Sequence, residues 1–98
     1  SAILEIGYQT DLVLLASWLN SNPTTSVEIV GHTDNIGSAK SNLQLSEDRA
    51  ESVVDFLLTS GISADRLSSS GRGDLVPISN NDTLEGKALN RRVEIVVN

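Results

Sequence analysis

The sequence predicts an α+β domain, with helices laid on one face of a small mixed sheet. Three observations carry this. Leu12, Leu15, Ala16 and Leu19 recur at helical spacing, and so do Ala50, Val53, Val54 and Leu57 further on. The tetrapeptide Val-Glu-Ile-Val occurs twice, at residues 27–30 and 93–96, and reads as a short strand each time. The flanks of the two copies differ, so they mark similar strand environments and no internal repeat. The order is helix, strand, helix, strand, turn, strand, and the 98 residues suit one domain, residues 1–98.

Taken in order, residues 7–20 form the first expected helix, with Tyr8 and Trp18 at its ends and Asn22-Pro23 as its stop. Thr10 and Asp11 suit its first turn, where a carboxylate favours the helix N-terminus. A strand at residues 27–30 is broken by Gly31. The second helix opens at Ser41, which forms a capping-box pattern with Gln44. Gly61 suits its C-terminal stop. Residues 66–70 make a weak strand whose only apolar side chain is Leu67. A loop rich in Gly, Asn and Ser covers residues 71–81, and residues 84–90 allow a helical turn or two. The last strand puts Val93, Ile95 and Val97 on one face. Three strands would cover two helices poorly, which points to a strand missing upstream.

Composition narrows the function. The formal net charge of −6 argues against nucleic acid and against anionic lipid, both of which need a basic face. There is no cysteine, so neither a disulfide nor a thiolate metal site is available. No apolar run approaches the roughly 20 residues that span a bilayer. The aromatics are Tyr8, Trp18 and Phe56, so the core is aliphatic. The opening at Ser1, without a Met, implies a cut piece or a mature product, with any anchor or export signal outside it.

The densest polar cluster is the loop Gly31-His32-Thr33-Asp34-Asn35-Ile36-Gly37 after the first Val-Glu-Ile-Val strand. Polar loops at strand ends are often only solvated, yet they are also where sites are built. Arg49 says more. On the helix it lies close in angle to Val53 and Phe56, and its neighbours one turn away are Leu45, Ser46, Ser52 and Val53. None can pair with its charge. A half-buried arginine needs a carboxylate or a ligand from elsewhere. Asp34 is the nearest source, either as a structural ion pair or as the other half of a site. His32 and Asp34 lack further ligands for zinc. A Ser-His-Asp set has no nucleophile elbow. Arg72-Gly73-Asp74 and Asn81-Asp82-Thr83 are short patterns of the kind chance produces. Asn90-Arg91-Arg92 before the last strand either neutralises surface acids or sends one arginine to close the Asp34/Arg49 site.

Several segments, in order, give a more specific pattern. They are Val27-Glu28-Ile29-Val30-Gly31-His32-Thr33-Asp34, Asn42 with Leu45-Ser46 and Arg49-Ala50, and Gly61-Ile62 with Arg66-Leu67. Then come Gly71-x-Gly73 with Pro77, Asn80 or Asn81, Glu85-Gly86, and Asn90-Arg91-Arg92-Val93-Glu94. Over essentially the whole chain this resembles the OmpA-like C-terminal domain, shared with peptidoglycan-associated lipoproteins and flagellar MotB proteins.

The resemblance implies a βαβαββ fold whose first strand ends just before a segment like Ser1-Ala2-Ile3-Leu4, and so is truncated in this chain. An edge exposed by that loss would invite pairing between chains, such as a homodimer. It further implies a non-enzymatic, cofactor-free and metal-free module. Such a module sits in the periplasm of a Gram-negative envelope and anchors an outer-membrane or other envelope protein to the wall. The implied ligand is the meso-diaminopimelate of the peptidoglycan stem peptide. The family's binding aspartate and arginine match Asp34 and Arg49. Thr33, Asn35, Ile36 and Gly37 supply loop contacts, while Asn42 and Arg92 match supporting positions. Arg72 stands in place of an aromatic between two glycines, and Lys87 where arginine is common. The other reading is an assembly domain that keeps the fold without the ligand.

Overall fold

The structure, a computed structural model, describes residues 2–6 and 9–98, with side chains described from Asp11 onward. Gly7, Tyr8 and the Thr10 side chain, expected at the start of the first helix, lie outside the described residues. The elements are β1 (Ala2–Ile6), α1 (Gln9–Ser21), β2 (Val27–Gly31), α2 (Ala39–Thr59), β3 (Leu67–Gly71), α3 (Leu84–Asn90) and β4 (Val93–Val97), with a short 3-10 turn at Ala64–Arg66. The sheet order is β1-β4-β2-β3. β2 and β3 run parallel, and the other neighbours run antiparallel. This is the α+β, βαβαββ architecture, with α3 inserted between the last two strands.

The expected truncation of the first strand does not hold. Ala2–Ile6 pairs along its whole length with β4, from Ala2 opposite Val97 to Ile6 opposite Val93. Ala-Ile-Leu-Glu-Ile is rich in apolar and β-branched residues and suits a strand. The strand missing from the sequence reading is therefore this one, and the described sheet has four strands.

The core lies between the sheet and the helices. Val27, Ile29, Val93 and Ile95 are buried on the sheet's inner face, with Ile29 opposite Ile95. Leu15, Ala16 and Leu19 of α1 and Ala50, Val53 and Leu57 of α2 pack onto them. Burying each large aliphatic side chain contributes roughly 1.5–3 kcal/mol. Arg66 fastens the end of α1 to the next turn. Its Nε donates to the Thr25 carbonyl at 2.8 Å, and Nη2 donates to the Leu19 and Asn22 carbonyls at 2.8 and 2.9 Å.

α2 begins earlier than the capping-box pattern predicts. Ser38 is its N-cap, and its Oγ accepts from the Ser41 amide at 3.1 Å. Ser41 thus donates to a cap and is not one. Gln44 pairs instead with Asp48, one turn on, at 2.9 Å. The helix ends as predicted. Gly61 has φ +91°, and the Gly61 and Ile62 amides return to the Leu58 and Leu57 carbonyls, both at 3.1 Å. This is a Schellman closure, which glycine favours because it adopts positive φ without strain.

At its N-terminal half α2 runs very close to the ends of β2 and β3. A methyl group on Gly31 would collide with the carbonyl of Ser46, and one on Gly71 with the Ser46 hydroxyl. Ser46 is fully buried; its Oγ accepts from the Gly73 amide at 2.9 Å and donates to the Leu43 carbonyl at 2.7 Å. Gly31→Ala would push a helix backbone off the sheet. It should destabilise at the upper end of the roughly 1–3 kcal/mol seen for overpacking, or beyond it. Urea unfolding of the variant beside a control such as Gly37→Asn, placed on an exposed turn, measures the difference.

Candidate functional site

The loop after β2 is built outward from this close approach. The His32 amide donates to the Arg92 carbonyl and the Thr33 amide to the Gly73 carbonyl, both at 2.8 Å. Thr33 is buried, and its hydroxyl donates to the Asp34 carbonyl at 2.8 Å. The chain then turns outward. Asn35, Ile36 and Gly37 are exposed, and Gly37 takes φ +91° to reach the Ser38 cap.

Asp34 is only 7% exposed. Its Oδ1 accepts from the Ile36 amide at 3.0 Å, and its Oδ2 accepts from Arg91 Nη1 at 2.6 Å. Burial alone would raise its pKa. The Arg91 and Ile36 hydrogen bonds, with the charges of Arg91 and Lys87, bring it below the ordinary carboxylate value. Asp34 is therefore ionised at neutral pH.

Arg49 is half-buried on α2, as its helical position predicts. Its Nη1 donates to the His32 carbonyl at 3.2 Å. The structural alternative, a direct Asp34–Arg49 ion pair, is not what the described residues form. Asp34 is paired with Arg91, and Arg49 reaches the same loop through its backbone. Arg49 thus brings a guanidinium to the site without a carboxylate partner among the described residues.

The two adjacent arginines separate. Arg91 caps α3, and its side chain is 44% exposed beside Asp34. The Arg92 side chain is 5% exposed. Its Nε donates to Glu94 at 3.2 Å, and its Nη2 and Nη1 to the Val76 and Asn90 carbonyls at 2.9 and 3.4 Å. Arg92 lies beneath the loops, and Arg91 is the arginine that reaches Asp34. Sequence reasoning singled out Arg92. Strand alternation carried the signal, since it puts Arg92 on the face of Glu94, away from Val93 and the helices.

Asn42 and Asn90 are buried supports. Asn90 Oδ1 accepts from the Ile78 and Ser79 amides at 2.8 and 3.0 Å, pinning the loop before α3. Asn42 is 4% exposed on α2 beneath the Gly37 turn, and its Nδ2 finds no partner among the described residues. A buried donor left unpaired costs free energy until something accepts from it.

His32, 2% exposed, places Nε2 at 2.7 Å from Glu94 Oε1. Burial and the nearby Arg92 charge lower its pKa, outweighing the hydrogen bond and charge of Glu94, and Arg72 lowers it further. The neutral ring carries its proton on Nε2, facing Glu94, and leaves Nδ1 without a donor. A second proton would create a buried Nδ1–H with no acceptor. Glu94 is held below its ordinary pKa: burial raises it, but Arg92 and His32 more than offset that. No group of three or more His, Cys, Asp or Glu among the described residues could hold a metal.

The fold and the site together define an α+β module with an ionised aspartate and two accessible guanidinium groups at the ends of its central strands. The chain belongs to the OmpA family, whose family model matches residues 1–91. It is 42% identical over 97 residues to the probable lipoprotein YiaD of Escherichia coli, covering 99% of this chain and 44% of the relative. It is 46% identical over 84 residues to the peptidoglycan-binding protein ArfA of Mycobacterium tuberculosis, covering 86% of this chain and 26% of the relative. The chain thus spans less than half the length of either. The fold matches the peptidoglycan-associated lipoprotein of Burkholderia pseudomallei with a TM-score of 0.87 at 24% identity, over 100% of this chain and 91% of that one. It matches the periplasmic domain of Helicobacter pylori MotB with a TM-score of 0.83 at 27% identity, over 97% and 80%.

Acid should loosen this site. His32 has a lowered folded pKa, so the unfolded chain takes up its proton first, and stability falls as pH drops below about 6.5. Asp34 and Glu94 are also lowered, so their contribution holds above about 4 and is lost on further acidification. All three signs agree. The thermal midpoint should fall between pH 7.5 and 5.5 and fall again below about 4. His32→Gln should flatten the first slope and leave the second.

Proposed function

We propose that this domain binds peptidoglycan non-covalently, through the free amino-acid end of meso-diaminopimelate in its stem peptide, and so holds a larger envelope protein to the cell wall. The observation that carries the reading is the convergence of the ionised, two-point-fixed Asp34 carboxylate and the carboxylate-free Arg49 guanidinium on one loop. The free end of diaminopimelate has an ammonium and a carboxylate on one carbon. Asp34 accepts from the ammonium, and Arg49 holds the carboxylate. Thr33, Asn35, Ile36 and Gly37 form the loop, Asn42 supports its turn from α2, and Arg92 holds it from beneath. Nothing is cleaved, so neither a nucleophile nor a cofactor is needed. The likeness to the peptidoglycan-binding protein ArfA supports peptidoglycan as the polymer bound. The likeness to the probable lipoprotein YiaD and to the periplasmic domain of MotB supports a place in the periplasm of the cell envelope.

The competing reading, an assembly domain without ligand, drew on a sheet edge left open by a lost strand. β1 pairs with β4 and covers that strand, which leaves the loop around Arg72 as the other surface on which self-association would rest. Titration calorimetry with a diaminopimelate-containing stem peptide is the test. Each charge-assisted contact contributes about 1.5–3 kcal/mol. Asp34→Ala and Arg49→Ala should therefore each weaken binding by roughly tenfold to a hundredfold. A lysine-type stem, which lacks the free amino-acid end, should bind far less. Parent-like affinity in both variants would sink the site assignment.

A further inference from the structure

We propose that Arg91 is a third recognition residue of this site, whose outward N–H groups share with Arg49 the carboxylate of the ligand's free amino-acid end. The inference rests on the peptidoglycan reading above and adds to it a residue that the family pattern does not assign.

An amino-acid end carries its ammonium and carboxylate on one carbon, so its receptor needs an acceptor and a donor side by side. Asp34 Oδ2 and Arg91 Nη1, 2.6 Å apart, are that arrangement. Arg49 turns its Nη1 to the His32 carbonyl, 3.2 Å away, and approaches the loop from the helix side.

A guanidinium has five N–H donors, and a carboxylate has about four acceptor directions. Arg91 commits one nitrogen to Asp34, and its side chain is 44% exposed. Asp34 accepts from Arg91 and from the Ile36 amide, which leaves about two directions for an ammonium. A zwitterionic end can therefore join the pair without breaking it. Its ammonium meets the aspartate and its carboxylate meets the arginine, so no charge is left buried and unpaired.

Arg92 is sealed at 5% exposure, with all three guanidinium nitrogens committed to Glu94, Asn90 and Val76. Lys87, the other nearby cation, acts on Asp34 through its charge. It lacks the planar fork that grips a carboxylate at two points.

A purely structural Arg91 would hold Asp34 in place and nothing more. Removing it would then weaken all ligands of Asp34 alike. A recognition role changes discrimination instead. The experiment titrates two stem peptides, one with the free diaminopimelate carboxylate and one with that carboxylate amidated, against the parent, Arg91→Lys and Arg91→Ala. The parent should prefer the free carboxylate by roughly tenfold to a hundredfold. That preference should shrink by about tenfold in Arg91→Ala and by an intermediate factor in Arg91→Lys. Arg91→Lys keeps the charge beside Asp34, so it carries the test if Arg91→Ala does not fold. An unchanged preference in the folded variants overturns the role of Arg91 and leaves the binding function standing. A parent that binds neither peptide overturns both.

Discussion

The close approach of α2 to the strand ends at Gly31 and Gly71 is the constraint on which the site depends. Helices usually stand off a sheet by the thickness of their side chains. Here the residues facing Ser46 have no side chain, so the helix backbone sits almost on the strands. Ser46 then replaces apolar packing with two hydrogen bonds, one of them to the Gly73 amide. That contact ties the turn after β3 to the helix. The same turn accepts from Thr33, so the loop bearing Asp34 is referenced to α2 as well as to its own strand. Arg49, three residues beyond Ser46, can reach the His32 carbonyl only because the helix is this close. A larger residue at Gly31 would therefore disturb the site before it disturbed the core.

Beneath the loop lies a polar layer in which nearly every group is committed. Arg92 spans Glu94, Asn90 and Val76, while His32 closes on Glu94 from the neighbouring strand. Such a layer costs more to bury than apolar packing would, and it holds only if its partners stay matched. Its benefit is positional. It fixes the backbone from which Thr33 and Asp34 project, and it does so with short-range directional bonds. Within it His32 Nδ1 has no partner among the described residues and marks where the margin of the layer is thin.

Much of this was legible in the sequence, and the failures have physical causes. The central helix and the paired Val-Glu-Ile-Val strands followed from apolar period alone. The isolation of Arg49 followed from its helical neighbours. β1 was missed because its alternation is weak and its partner, β4, lies at the far end of the chain; no local pattern reports such a pairing. The N-cap was misplaced because Ser38 and Ser41 are spaced as a cap and its N3 residue, and either could have led. The partner of Asp34 was missed for a different reason. Sequence spacing suggested Arg49, whereas Arg91 is 57 residues away and arrives only because β4 is central in the sheet.

The split between Arg91 and Arg92 shows how one dipeptide supplies both a foundation and a reader. Extended chain sends successive side chains to opposite faces. Arg92 therefore joins Glu94 beneath the loops, where burial makes a cation costly unless all its donors are met. Arg91 emerges on the other side, at the end of α3, where solvent lets it keep donors in reserve. Exchanging the two roles would need a shift of one residue in the register of β4, which would also turn Val93 and Ile95 out of the core. The core therefore enforces the chemistry of the site. The same alternation that buries the valines decides which arginine faces a ligand.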